Sequence, residues 1–157
     1  MNTNMRHVAL IFLLIVPSFA MSEIIDKKNA KLSLFNSVNV RVHDDVENGC
    51  WTNINETKTY AADQLEMIGA KVDRNNDDLA VEYDGDATFA ISVIGSRLPN
   101  NVCIGHIDIR LEQLTSGYAD LYSVIFYSTF NMILVNSDNL NIQVLDAVKK
   151  AAKQWRN

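Results

Sequence analysis

Alternating apolar and polar positions divide most of the chain into strands and helices. Val38, Val40 and Val42 alternate with Asn39, Arg41 and His43, the period of a half-buried strand. Asn48 and Gly49 then turn the chain into Cys50 and Trp51. Asn53, followed three residues later by Glu56, predicts a helix start of the capping-box kind. Ile54, Ala61, Leu65 and Ile68 lie along one side of that helix, and Gly69 stands where it should stop.

An acid-rich passage from Asp73 to Asp86 comes next, in which Leu79, Val81 and Tyr83 alternate as a short strand. Phe89, Ile91 and Val93 alternate with Thr88, Ala90 and Ser92, and Pro99, Asn100 and Asn101 turn the chain after them. The clearest alternation follows. Gly105, Ile107, Ile109 and Leu111 face one way, and His106, Asp108, Arg110 and Glu112 face the other. Thr115, Ser116 and Gly117 predict a hairpin turn into an aromatic and β-branched run from Tyr118 to Val135. Asp120, Ser123, Ser128 and Asn131 make that run too polar for a membrane helix, so it reads as a strand, long enough to carry a bulge.

In the last segment Asp138 is placed to cap a helix whose apolar stripe is Leu140, Val144, Leu145, Val148, Ala151, Ala152 and Trp155. Lys149, Lys150, Lys153 and Arg156 gather near its C-terminus, where the helix dipole favours positive charge. The order is thus strand, helix, three or four strands, helix. Two helices with one apolar stripe each must bury it against the sheet. The fold class expected is α+β: a two-layer sandwich in which a mainly antiparallel sheet of four or five strands carries both helices on one face. The other face is left open to water.

The first residues change the picture of where this domain works. Arg6 and His7 precede an unbroken apolar run from Val8 to Val16, followed by Pro17, Ser18, Phe19 and Ala20. This has the three parts of a secretory signal, with small residues two apart before a cut after Ala20. The apolar run is well short of the roughly 20 residues that span a bilayer, and the first cysteine, Cys50, is too far along for a lipoprotein anchor. Residues 1–20 are therefore read as a cleaved signal peptide, 21–33 as a flexible lead-in, and 34–157 as one domain of adequate size for its own core. The expected location is periplasmic or secreted, without stable membrane insertion after cleavage. Loss of the signal's single formally charged residue, Arg6, takes the formal charge from -5 to -6. An acidic domain of this kind is poorly suited to a nucleic-acid backbone, which needs clustered Lys and Arg.

Two cysteines remain, Cys50 and Cys103, and an exported chain is expected to join them. A parallel crossover followed by a hairpin brings the end of the first strand and the start of the strand after Pro99 to the same end of the sheet. Trp51 is expected to pack against the bridge, and Trp155 to belong to the core.

Signatures of nucleophilic or phosphate chemistry, such as a Gly-x-Ser-x-Gly elbow, a Walker loop, a Gly-rich dinucleotide turn or His-Glu-x-x-His, do not occur in the sequence. Asp73, Asn75, Asp77 and Asp84 have some of the spacing of a calcium loop, but Asp78 stands where that loop requires glycine, so an acidic surface loop is the better reading. The Asn55-Glu56-Thr57 triplet falls within a predicted helix turn and is read as chance. His43, His106 and Asp108 are the candidate metal ligands, and with neighbouring carboxylates they could also serve as acid and base in a hydrolase.

The leading expectation is a non-enzymatic binding or accessory domain without a cofactor. Its candidate partner surface is the open sheet face: Asn39, Arg41, His43, Thr88, Ser92, His106, Asp108, Arg110 and Glu112. A sheet edge is a second way to take a partner. The expected partner is another envelope or secreted protein. A metal-binding protein or hydrolase using His43 and His106 is the alternative, and a homo-oligomer that covers the open face with its own copy is a third reading.

Overall fold

The computed structural model describes residues 32, 35–74, 85–116 and 122–156. Seven elements follow in the order β1 (Val38–Val46), α1 (Ile54–Met67), β2 (Val72–Asp73), β3 (Ala87–Arg97), β4 (Cys103–Ser116), β5 (Tyr122–Asn136) and α2 (Asn141–Gln154). The strands form one sheet in the order β2-β1-β3-β4-β5. The signal-peptide segment and most of the lead-in lie outside the described residues. So do the alternating Leu79, Val81 and Tyr83, the turn residue Gly117 and the start of the aromatic run before Tyr122.

The sheet is mixed, and its two longest ladders, β3 with β4 and β4 with β5, are antiparallel. Parallel pairing enters through α1. A helix between β1 and β3 must return the chain to the end where it started, so β3 lies parallel to β1. On the far side of β1, among the described residues, Val72 and Asp73 pair with Val38 and Asn39. A two-residue strand is too short to leave a periodic trace in the sequence. The run after the β4–β5 hairpin is bulged as expected: Leu111 pairs with Ser128 but Glu112 with Phe126, leaving Tyr127 as the extra residue.

Both helices cover one face. Val38, Val40, Phe89, Ile91, Val93, Ile107, Ile109, Leu111 and Leu134 form one core with Ala61 and Leu65 of α1 and Val144, Val148 and Ala151 of α2. Trp155 closes this core at the end of α2, meeting Phe89 edge to face with ring centroids 5.1 Å apart. Gly69 follows α1 with φ +95°, a left-handed conformation that glycine adopts freely, and stops the helix as expected.

Cys50 and Cys103 are joined, with their Cα atoms 5.6 Å apart, and both are fully buried beside the buried Trp51. The same end of the sheet is tied by Arg97. Its guanidinium donates to the carbonyls of Asn48, Asn101 and Asp138, at 3.4, 3.0 and 2.9 Å. Asn48 and Gly49, with φ of 58° and 67°, make the turn that leads into Cys50.

The helix starts differ from expectation. Asn53 does occupy the N-cap of α1, but its side chain makes no capping bond to the first turn; its Nδ2 instead donates to Glu56 Oε2 at 3.1 Å. Asp138 does not cap α2. The N-cap is Leu140, whose backbone N–H donates to the Cys50 carbonyl at 2.7 Å while its side chain is fully buried. Anchoring of Leu140 to the disulfide segment sets where the helix begins, and Asn139 Oδ1 accepts the N–H of Asn141 at 3.1 Å. Asp73 belongs to β2, and Arg74 beside it is held by Asp63 at 2.6 Å and Glu66 at 2.8 Å.

Candidate functional site

The face opposite the helices is built from side chains of one parity on β1, β3, β4 and β5, and the strand register sorts them into rows. Asn39, Thr88 and Glu112 form the first; Arg41, Ala90, Arg110 and Thr129 the second; His43, Ser92, Asp108 and Asn131 the third. The next rows change character. Asp45, Ile94, His106 and Ile133 make the fourth, and Ser96, Ile104 and Val135 the fifth.

All nine residues of the expected partner surface thus share one face. They are not equally reachable. His43, His106 and Arg110 are exposed, and Arg41, Ser92, Asp108 and Glu112 are partly so. Asn39 and Thr88, expected to be exposed, are buried at 8% and 1%. They are short side chains flanked on the same face by the longer Arg41, Arg110 and Glu112, whose stems can cover them.

The middle rows form a charged cluster. Arg110 donates to the Asp108 carboxylate two residues away on the same strand. Glu112 is half-buried, and loss of water raises its pKa above the ordinary carboxylate value. The positive charges of Arg110, Arg41 and His43 pull the other way without cancelling that effect, and Asp108 adds to it.

The two histidines occupy different rows, two strands apart and two residues out of step. Ideal sheet spacings put their Cα atoms about 12 Å from each other. His106 has Ile94 and Ile133 beside it in its row and Ile104 two residues before it. Among the described residues no group of three His, Cys, Asp or Glu could hold a metal ion.

The aliphatic end of the face was not among the expected site residues. Ile94, Ile104, Ile133 and Val135 are 56%, 41%, 72% and 51% exposed and lie in adjacent rows around His106. Their signal was present in the sequence, since Ile94 continues the parity of Ser92 and Ile104 that of His106. A separate pocket of about 400 Å³ is lined by residues of β1, α1 and β2 together with Arg74, among them Val40, Lys58, Ala62, Val72 and Asp73. It contains none of the expected site residues.

No protein-family model matches the chain, and no curated protein matches its sequence. Among solved structures, the chain is similar to a dodecamer of a PelC variant from Paraburkholderia phytofirmans, at 13% identity and a TM-score of 0.47, covering 82% of this chain and 94% of that one. Among the described residues no helix is long and apolar enough to cross a membrane. The formed Cys50–Cys103 bridge fits folding in an oxidising compartment.

Proposed function

We propose that this is an exported, non-enzymatic accessory domain that acts by contact with another envelope or secreted protein through its open sheet face. The observation that carries this reading is the composition of that face. An aliphatic patch of Ile94, Ile104, Ile133 and Val135 adjoins a charged zone of Asp108, Arg110 and Glu112, and both helices lie on the opposite side of the sheet. An exposed apolar patch bordered by polar groups is the usual make-up of a protein-binding surface. The apolar zone supplies burial, and the charged zone supplies orientation and discrimination against wrong partners. Export is supported by the signal-like N-terminus and the disulfide.

The test is affinity capture from the native envelope and secreted fractions, with alanine at Asp108, Arg110 and Glu112 together. The expected result is loss of the captured protein with the fold intact by circular dichroism. Capture unchanged by the triple substitution would remove the surface assignment. Stoichiometric zinc that is lost when His43 and His106 become alanine would instead move the function to a metal site.

A further inference from the structure

We propose that the outer edge of β5, which no other described strand pairs, pairs with β5 of a second copy of this chain, antiparallel about a twofold axis perpendicular to the sheet. The two edges of the sheet are very different. Among the described residues β2 is two residues long, and a short edge strand offers little to pair with. β5 has 15 residues, Tyr122–Asn136, and contains no Lys, Arg, Asp, Glu or Pro. Charges and prolines are two of the usual guards against strand addition and neither stands on this edge, whose one irregularity among the described residues is the bulge at Tyr127.

The register shows which backbone groups face outward. Gly95 accepts the Glu47 N–H through its carbonyl and so points toward β1. Alternation then directs Ile94 toward β4, Gly105 toward β5 and Leu134 toward β4. Thr129, Asn131, Ile133 and Val135 therefore direct their N–H and C=O groups away from the sheet. Val135 agrees, because its carbonyl accepts from Gln143 Nε2 of α2 at 2.9 Å. That bond occupies the strand's C-terminal end, and the bulge at Tyr127 interrupts the alternation, leaving a regular edge from Ser128 to Ile133, roughly 20 Å, with a second stretch from Tyr122 to Phe126 beyond the bulge.

The absence of charge favours a second copy over a different partner. In an antiparallel twofold pair every residue meets a residue of the same strand, so any charge would face its own kind or a near neighbour. An uncharged strand meets no such repulsion in any register. It also carries no charge with which to select another chain. Over the stretches on both sides of the Tyr127 bulge the pairing would bury on the order of 1,000 Å² in total, near the lower bound for specific interfaces. Both open faces would lie on the same side of one continuous sheet. The pairing stands independently of whether the open face takes a partner.

The test uses purified protein produced from the full chain, with mass measured by light scattering and amide exchange followed over a concentration series. The expected results are twice the mass of one chain and protection of the Thr129, Asn131 and Ile133 amides that increases with concentration. Asn131→Lys with Ile133→Lys should give a monomer, whereas Ile94→Lys, in the same patch but away from the edge, should leave the dimer intact. A wild-type monomer, a dimer that survives the edge lysines, or dissociation by Ile94→Lys would overturn the proposal. So would a monomer with these amides protected at every concentration, which would assign the edge to the chain's own N-terminal segment.

Discussion

Gly95 of β3 and Gly105 of β4 stand directly opposite each other, and neither has room for a side chain. A Cβ on Gly95 would lie 2.7 Å from the Ile104 carbonyl oxygen; one on Gly105 would lie 2.8 Å from the Ile94 oxygen and 2.9 Å from Leu140 Cδ1. The bare backbone on the helix-covered side lets Leu140 press against the sheet at the point where α2 begins, with its N–H on the Cys50 carbonyl. Gly105→Ala should destabilise by about 1–3 kcal/mol, the usual cost of overpacking. Urea unfolding of the variant checks this; unchanged stability would mean that Leu140 does not need the gap.

The disulfide joins the segment entering α1 to the start of β4 across 53 residues of sequence. In the chain-entropy account a loop of that length is worth about 4 kcal/mol. Replacing both cysteines by alanine should lower the urea midpoint accordingly. The loss should exceed the chain-entropy value if the Leu140 N–H bond to Cys50 also weakens. A midpoint that barely moves would show that Trp51 and Arg97 hold this end of the sheet without the bridge.

Glu112 should make stability depend on pH in an unusual direction for a carboxylate. Its folded pKa is raised above the ordinary 4.5, so the folded chain binds its proton more tightly than the unfolded chain does. Its contribution is therefore most favourable below the unfolded value and diminishes as pH rises through the folded one. Glu112→Gln, which imitates the neutral form, should be more stable than wild type at neutral pH and equal to it in acid. Denaturation curves at the two pH values check the sign, and the opposite order would mean that Arg41 and Arg110 outweigh the desolvation.

Much of this was legible in the chain because strand parity is a strong signal. The alternations around Val40, Ile91 and Ile109 assigned the core-facing and open-facing residues of three strands, and the bridge between Cys50 and Cys103 agreed with their topology. Other features depend on tertiary context. The cap signal at Asp138 lost to the buried Leu140, because a contact with Cys50, distant in sequence, fixes the start of α2. Asn39 and Thr88 had the right parity but are buried, and parity sorts residues between faces without measuring how far a face is covered. Ile94 and Ile104 had open-face parity, yet an isoleucine is expected inside by default. Only the placement of both helices on the opposite face shows that these side chains lie exposed.

The most direct test of the proposed contact is site-specific photo-crosslinking in the native cell. A photoreactive residue would replace Ser92, at the centre of the open face between His43 and Asp108, and in a second variant Lys150, exposed on α2. An adduct with one defined protein from position 92 and none from position 150 is the predicted result. Adducts from position 150 alone, or none from position 92, would contradict a function exercised through the open sheet face.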